Sequence, residues 1–461
     1  MTPAQHKSDR PIAALLVPDI LALLDEAPGD LAAETEEMHA ADLANVVEAL
    51  PPARVGDFLR ALPASRAAQV IEYLDEELRA EFLEHVSTEQ AAEIISEMTP
   101  DDRADVLETL EEKTADEILS DLPDEAREET QKLMQYEPDT AGGIMTTGFV
   151  AVKQVESVEQ ALMEVRLAAR SGRRESMHAL YVIDDDDRLV GVMSLRELVA
   201  APDGASVADV MHTEIVSVQA SADREEVARV TSEYDLVAIP VLDGFGRLVG
   251  VITVDDVIDA MVEEQTEDVQ RLGAVQPLED PYFVASFWDL VRRRVVWLVV
   301  LFIGGIFTST AMTSYQSTIA AATFLAAFLP LIISSGGNSG SQSATLIIRG
   351  LAVGDVEISD VLRVLLREIG QGVALGACLG GIGFLLIVVA TDHGALFGAA
   401  VALSLVLVVL MGTVVGSMLP LLLRRLGFDP AVASSPFVAS IVDVTGIVVY
   451  FTVARRLLGI A

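Results

Sequence analysis

Residues 435–446 read Ser435-Pro436-Phe437-Val438-Ala439-Ser440-Ile441-Val442-Asp443-Val444-Thr445-Gly446, inside an apolar stretch that runs over 432–453. A stretch of that length crosses a bilayer as a helix, because a helix satisfies its own backbone groups where no water is present to do so. Asp443 falls about midway along it. A carboxylate at that depth costs at least ~2.5 kcal/mol on insertion scales, and an acid retained at such a cost lines an ion path or is a buried structural group, the first being the commoner case. No basic residue in any span is placed to neutralise it.

Four more stretches of spanning length occupy 295–312, 319–348, 370–390 and 395–423, so five spans are expected. The second carries the polar run Ser334-Ser335-Gly336-Gly337-Asn338-Ser339-Gly340-Ser341-Gln342-Ser343. Such a run is expected to interrupt the span and to face protein or a water-filled path, with Pro330 permitting a kink nearby. Arg292-Arg293-Arg294, Arg349 with Arg363 and Arg367, and Arg424-Arg425 fall on one side, which orients the amino terminus inside and the carboxyl terminus outside a cell (inner) membrane. Arg455-Arg456 alone dissents. Trp288 and Trp297 suit the first interface.

What precedes these spans has a different character. The 461 residues include 31 basic and 70 acidic side chains, a net charge of −39. From Asp289 onward there are 10 Arg, no Lys and 8 acids, so residues 1–288 hold a net −41. The result is a multidomain membrane protein with an acidic amino-terminal part. That charge argues against nucleic acid and for cationic partners or simple solubility. Residues 12–24 are broken by Pro18 and Asp19 and carry no export signal, so this part is expected in the cytoplasm. The single Cys378 excludes disulfides within the chain and cysteine-based metal sites.

A 12-residue unit recurs from Met38, with starts at Leu50, Leu62, Leu74, Val86, Met98, Leu110 and Leu122. Its ninth and tenth positions are Val46-Val47, Phe58-Leu59, Val70-Ile71, Phe82-Leu83, Ile94-Ile95, Val106-Leu107 and Ile118-Leu119; the last unit departs with Thr130-Gln131. Prolines and caps at the starts predict one short helix per unit, stacked into an all-α solenoid over 1–140. Such a domain senses or docks, or is an acidic coat on a helical spacer.

A second repeat follows. Met145-Thr146 with Phe149-Val150-Ala151-Val152 matches Met211-His212 with Ile215-Val216-Ser217-Val218, and Arg188-Leu189-Val190-Gly191-Val192 matches Arg247-Leu248-Val249-Gly250-Val251. The first copy has 7 extra residues around Ser171 and Ser176. Each copy reads strand, helix, strand, turn, strand, helix, and the pair resembles tandem α/β CBS domains, here over 141–202 and 203–262. In that family a Thr or Ser and an Asp three residues later often hold an adenosine nucleotide. The resemblance places these at Thr253 and Asp256; the first copy has Glu197 in place of the Asp.

The second copy ends in a predicted helix from Asp255 to Asp268 whose acids Asp255, Asp259, Glu263 and Glu267 recur every fourth residue, with Asp256, Glu264 and Asp268 beside them. Like charges at that spacing oppose the helix by roughly 0.2–0.5 kcal/mol a pair unless cations are present. Dense carboxylate oxygen suits hard divalent ions, above all Mg²⁺ and Ca²⁺, although no D-x-D-x-D-G calcium loop is found. Leading into a membrane domain, the helix reads as part of a divalent-ion sensor.

Together the acidic repeat domain, the Asp139-Thr140-Ala141-Gly142-Gly143 junction, the paired CBS copies, an acidic connecting or plug helix over 263–290, five spans over 291–461, the G-G-N-x-G-S-Q segment and the S-P-F-V…D-V-T-G segment resemble the MgtE magnesium channel and transporter family. The resemblance implies a homodimer whose pore lies on the two-fold axis, with Asp443 of each subunit holding hydrated Mg²⁺ and Asn338, Ala439 and Gly446 lining the path. It also implies feedback, in which cytoplasmic Mg²⁺ closes the pore by bridging Asp101 and Asp105 of the repeat domain, Asp235, Asp256, Asp259, Glu264, Glu267 and Asp268 of the sensor, and Asp429 of the last inner loop. ATP at the CBS pair is a further implication.

No His lies in an H-E-x-x-H zinc motif, and the four lysines, 7, 113, 132 and 153, all precede the membrane half and sit in neither a phosphate loop nor an aspartyl-phosphate motif. An enzyme is therefore not expected. The remaining alternative is a nucleotide-gated carrier or receptor for another solute or divalent cation. Selectivity among Mg²⁺, Mn²⁺ and Co²⁺ stays open, since all share the oxygen preference.

Overall fold

The computed structural model describes residues 11–170, 176–202, 204–278, 282–283, 285–392 and 394–460. Residues 171–175, where most of the insertion in the first CBS copy falls, lie outside these, as do 1–10 of the repeat domain and 279–281 and 284 of the connecting segment. The chain divides into two compact units, Met1–Met261 and Val262–Ala461.

The first unit opens with α1 (Pro11–Glu26) and α2 (Leu31–Glu34), then one helix per 12-residue unit: α3 (Ala40–Ala49), α4 (Pro52–Arg60), α5 (Ala64–Glu72), α6 (Glu76–His85), α7 (Thr88–Ser96), α8 (Pro100–Glu108), α9 (Glu112–Asp121) and α10 (Asp124–Leu133). The expected pairs from Val46-Val47 to Val106-Leu107 are all buried, and Ile118 with them. Alternate helices stack, α3 on α5, α5 on α7 and α7 on α9, because helices of nine or ten residues bury their apolar stripe only against neighbours. The departure at Thr130 has a reason. Its hydroxyl is fully buried and accepts from Arg103 Nη1 at 3.3 Å, while Arg103 also donates to the carbonyls of Met98 (3.1 Å) and Ala126 (3.2 Å). A buried guanidinium needs that many acceptors.

Two three-stranded sheets follow, ordered β1-β2-β3 and β4-β5-β6, each with one parallel and one antiparallel pairing. The first module comprises β1 (Phe149–Lys153), α11 (Val158–Arg170), β2 (Ser176–Ile183), β3 (Leu189–Met193) and α12 (Leu195–Ala200). After α13 (Val207–Val210), the second comprises β4 (Val218–Gln219), α14 (Arg224–Glu233), β5 (Ala238–Leu242), β6 (Leu248–Thr253) and α15 (Val254–Leu272). The copies exchange their openings: Thr146 bridges to Val251 and His212 to Val192. Met145 and Met211 thereby lie across Gly250 and Gly191, where any Cβ would stand 2.5 Å from a methionine sulfur. The Gly of each R-L-V-G-V strand is thus a packing requirement.

The Asp139–Gly143 junction runs as an added edge. Ala141 and Gly142 donate to the carbonyls of Ala222 (2.7 Å) and Ala220 (2.9 Å), and Arg224 N donates to Asp139 O at 3.1 Å. Ala104 of α8 and Leu133 of α10 share a core with Val218, Ile239 and Ile252, so the last repeats are built into the second module.

In the second unit, α16 (Phe287–Ser314), α17 (Gln316–Ala321), α18 (Phe324–Ala352), α19 (Val361–Ala390), α20 (Gly394–Arg425) and α21 (Ser435–Leu458) give the five long helices expected. Four are long and apolar enough to span a membrane, α16, α20 and α21 among them with the segment Ile358–Ala390 that holds α19; the fifth is α18, 29 residues diluted by its polar run. Here the sequence expectation is corrected. Residues 334–343 do not interrupt α18, which stays helical through Pro330 and the glycines. A helix already pairs its backbone internally, and the small residues serve close packing instead: Gly336 and Gly340 lie against Val408, Gly412, Val438 and Val442. Cβ atoms on Gly412 or Gly416 of α20 would overlap the carbonyl oxygens of Gly336 or Gly340. Gly372, Gly376 and Gly380 let α19 approach Leu410, Val406 and Ala402 of α20 in the same way. The dissenting Arg455 is also accounted for. Its Nε donates to Thr318 Oγ1 at 2.6 Å, and its guanidinium lies 5.0 Å over the Tyr315 ring.

Candidate functional site

Three clusters of charge stand out, one in the first unit and two in the second. In the first, Thr99 caps α8, its Oγ1 accepting from Asp102 N (3.3 Å) and donating to Asp102 Oδ2 (2.7 Å), which places Asp101, Asp102 and Asp105 in the first turns. At the start of α15, Thr253 Oγ1 donates to Asp256 Oδ2 at 2.5 Å. These acids and Glu72 act on one another. Burial and then Asp102 and Asp101 push Glu72 up to about 8. Burial, with Asp101 as the strongest charge, raises Asp105 and Asp256 to about 7, and Asp102 to about 6. Burial and then Asp255 raise Asp259. Asp101 Oδ1 is buried with no hydrogen-bond partner among the described residues. So many half-desolvated carboxylates, offset only in part by Arg79, are a setting that attracts a divalent ion. Among the described residues no three such side chains already converge as a metal cage. Acids spread over facing helices suit an ion that keeps much of its water, as Mg²⁺ does.

Asp235 stands apart from the groups that shift these carboxylates. It is exposed in the turn after α14, in the left-handed region at φ 52°, which leaves its expected place among the bridging residues without support from the geometry. The Thr253–Asp256 pair, expected to hold a nucleotide, lies among the same carboxylates. In the first module Glu197 is held down at about 2, by His212 first (2.8 Å) and then Ser194.

The second cluster joins the far half of α15 to the loop before α21. Arg271 donates to Glu267 (2.6 Å) and Asp429 (2.5 Å), and Asp429 Oδ1 accepts from Ala431 N (2.7 Å). Burial, then Asp429 and Glu264, lift Asp268 to about 6. Asp429 was expected as a metal ligand; one of its oxygens already holds a resident cation.

The third lies on α21. Asp443 is half-buried, and its Oδ1 lies 3.8 Å from where a Cβ on Gly337 would stand. Ala439 packs on the same glycine and is also half-buried. Asn338 is exposed beside it, donating to Ser334 Oγ at 3.2 Å. Gly446 departs from the expectation that it lines the path, being buried against Val408 of α20.

Comparison with known proteins bears on this arrangement. The magnesium transporter MgtE of Thermus thermophilus is 45% identical over 333 residues, 72% of this chain and 73% of its own. This chain belongs to the MgtE family. The magnesium transporter MgtE of Enterococcus faecalis is 34% identical over 72% of each chain. Residues 329–453 match the family described as divalent cation transporter, 38–139 the MgtE intracellular N domain, and 141–204 and 207–263 the CBS domain. A solved soluble part of a magnesium transporter, 28% identical, superposes with a TM-score of 0.51 over 55% of this chain and 99% of that one. The cytosolic domain of the Mg²⁺ channel MgtE with ATP, 36% identical, does so at 0.50 over 53% and 99%.

In this MgtE-family chain, sequence reasoning missed Glu72, Asp102 and Arg271. Glu72 holds the eleventh position of its repeat, as do Glu48, Glu84 and Glu108, so the pattern alone does not single it out. Asp102 had a usable signal in the Thr99-Pro100-Asp101-Asp102 cap.

Proposed function

We propose that this multi-pass membrane protein is a magnesium channel or transporter that admits Mg²⁺ to the cytoplasm down its electrochemical gradient and is closed by cytoplasmic Mg²⁺. The observation that carries the reading is Asp443, an acid on a spanning helix beside the bare backbone of Gly337, with no basic side chain recorded in an ion pair with it among the described residues. A carboxylate facing a wall of glycine and amide suits an ion recognised through its water shell. The membrane potential draws that ion inward at ~2.3 kcal/mol per charge per 100 mV. The chain acts as a homodimer in which Asp443 of two subunits share the path, a reading supported by its half-exposure in one chain. The arginines at one end of the bundle support a cytoplasmic first unit and an outside carboxyl terminus.

Closure follows from the acidic clusters. With little internal Mg²⁺ the carboxylates around Asp101 repel and the assembled form is disfavoured; bound Mg²⁺ offsets the repulsion and shifts the population to the closed state. The ATP complex of a related cytosolic domain supports a nucleotide at the CBS pair. The partners are thus divalent cations, lipid and a second copy, with no role for nucleic acid. The deciding measurement is Mg²⁺ entry into proteoliposomes at an inside-negative potential. Uptake is expected in the natural protein and lost in a folded Asp443→Asn variant. No uptake in either with the sensor side free of Mg²⁺ would favour a nucleotide-gated carrier of another solute.

A further inference from the structure

The face of α18 that meets Asp443 and α20 packs largely through glycine. Gly336 and Gly340 lie flat against Gly412 and Gly416 of α20. Contact between glycines lets backbones approach, but it offers few interlocking side chains to resist sliding or rotation. Polar contacts cross the bundle at this level: Ser341 Oγ of α18 donates to Ser435 O of α21 at 3.2 Å, and two more converge on Glu368 of α19. Ser343 Oγ of α18 donates to Glu368 Oε2 of α19 at 2.7 Å, and Gln371 Nε2 reaches Oε1 at 3.5 Å. The main-chain carbonyl of Glu368 accepts from Thr413 Oγ1 of α20 at 3.2 Å. Thr413 directly follows Gly412, and Ser343 lies one turn beyond Gly340.

Glu368 is 5% exposed and Ser343 is as deeply buried. Among the described residues Glu368 has no Lys or Arg ion pair. An acid buried in this way is costly, and an aliphatic residue would fill the space without that cost, so its presence points to a task. We propose that Glu368 is a positioning residue, which locks the register of α18 against α19 and α20, holds Gly337 and Asn338 at their places beside Asp443, and thereby sets which divalent ions pass. The inference rests on the reading of Asp443 as the ion path. Ser339, one turn before Ser343 and 6% exposed, has a hydroxyl unpartnered among the described residues, so Ser343–Glu368 is the specific bond they show on that stripe.

The test compares the natural protein with Glu368→Gln, Glu368→Leu and Ser343→Ala in proteoliposomes, reading the ratio of Mg²⁺ to Ca²⁺ entry and, separately, thermal stability. Glu368→Gln keeps an acceptor for Ser343 and is expected to preserve the ratio. Glu368→Leu and Ser343→Ala are expected to change it by at least about threefold, as a wall displaced by a fraction of an ångström does. A ratio unchanged in Ser343→Ala and Glu368→Leu, whatever their melting points, overturns the proposal. So does a Glu368→Gln ratio as altered as that of Glu368→Leu, because the charge and not the bond would then be the agent. If the Leu variant does not fold, Ser343→Ala, which removes one oxygen, decides. Failure of the underlying reading shows separately, as Mg²⁺ entry insensitive to Asp443→Asn.

Discussion

Arg271 stands among Glu264, Glu267, Asp268 and Asp429 as the cation that lets four acids share one place. Burial works against its charge, yet Asp429 and Glu267 outweigh that and hold the guanidinium more firmly protonated than usual. In Arg271→Gln those acids face one another directly. With both partners about a third exposed, the pair is worth about 1 kcal/mol, so the Mg²⁺ level that half-closes the channel is expected to rise about fivefold. A Mg²⁺ titration of flux with an unmoved midpoint would show the pair to be incidental. The sequence had no means of indicating the pair, because Arg271 and Asp429 are 158 residues apart and Asp429 was expected to meet a metal ion, not an arginine. Asp443 drew attention for the opposite reason: it is the one charged residue in the stretch over 432–453. Glu368 hides between the two cases, next to Arg367 at the end of a span, where a charge is commonplace.

Helices α8 and α15 bring acids of the first unit together, and their chemistry fixes how that assembly depends on pH. In a separated chain these carboxyls ionise near 4. Assembled, Asp102 lies at about 6, Asp105 and Asp256 at about 7, and Glu72 at about 8. The assembled form therefore holds more protons between those values, and its stability falls as pH rises from about 5 to 8. Hydrogen exchange in EDTA is expected to show α8 protected at pH 5.5 and exposed at pH 8, with Mg²⁺ restoring protection at pH 8. Equal protection at both pH values in EDTA would refute the coupling. The helices themselves were legible unit by unit, since a 12-residue period with paired apolar positions leaves one packing solution. The polar run of α18 was misread because glycine and serine signal a break in water but close packing in a bundle. Gly416→Val tests that second meaning. It should lower the thermal stability of the detergent-solubilised protein by roughly 1–3 kcal/mol through overpacking against Gly340, and an unchanged melting point would mean the α18–α20 contact is loose.

At the scale of the molecule, the charge division legible in the sequence is close to the structural one but displaced along the chain. The second unit begins at Val262 and so takes in the acidic end of α15, where Leu272 packs with the bundle core around Ala431 and Val438. Composition placed that acidic stretch with the soluble part because charge, not packing, is what composition records. A second chain is the part of the assembly that one sequence states least directly, and its expected place can be tested. If two subunits share the path at Asp443, Asn338, exposed beside Gly337, faces that path, whereas Leu386, exposed on α19, faces lipid. With Cys378 replaced by Ala, a short bifunctional thiol reagent should join Asn338→Cys chains into a dimer and leave Leu386→Cys chains single. The reverse pattern would place the subunit contact on α19 and remove Asp443 from a shared axis. Equal linking at both positions would indicate random encounter in the membrane, and the homodimer reading would fall with it.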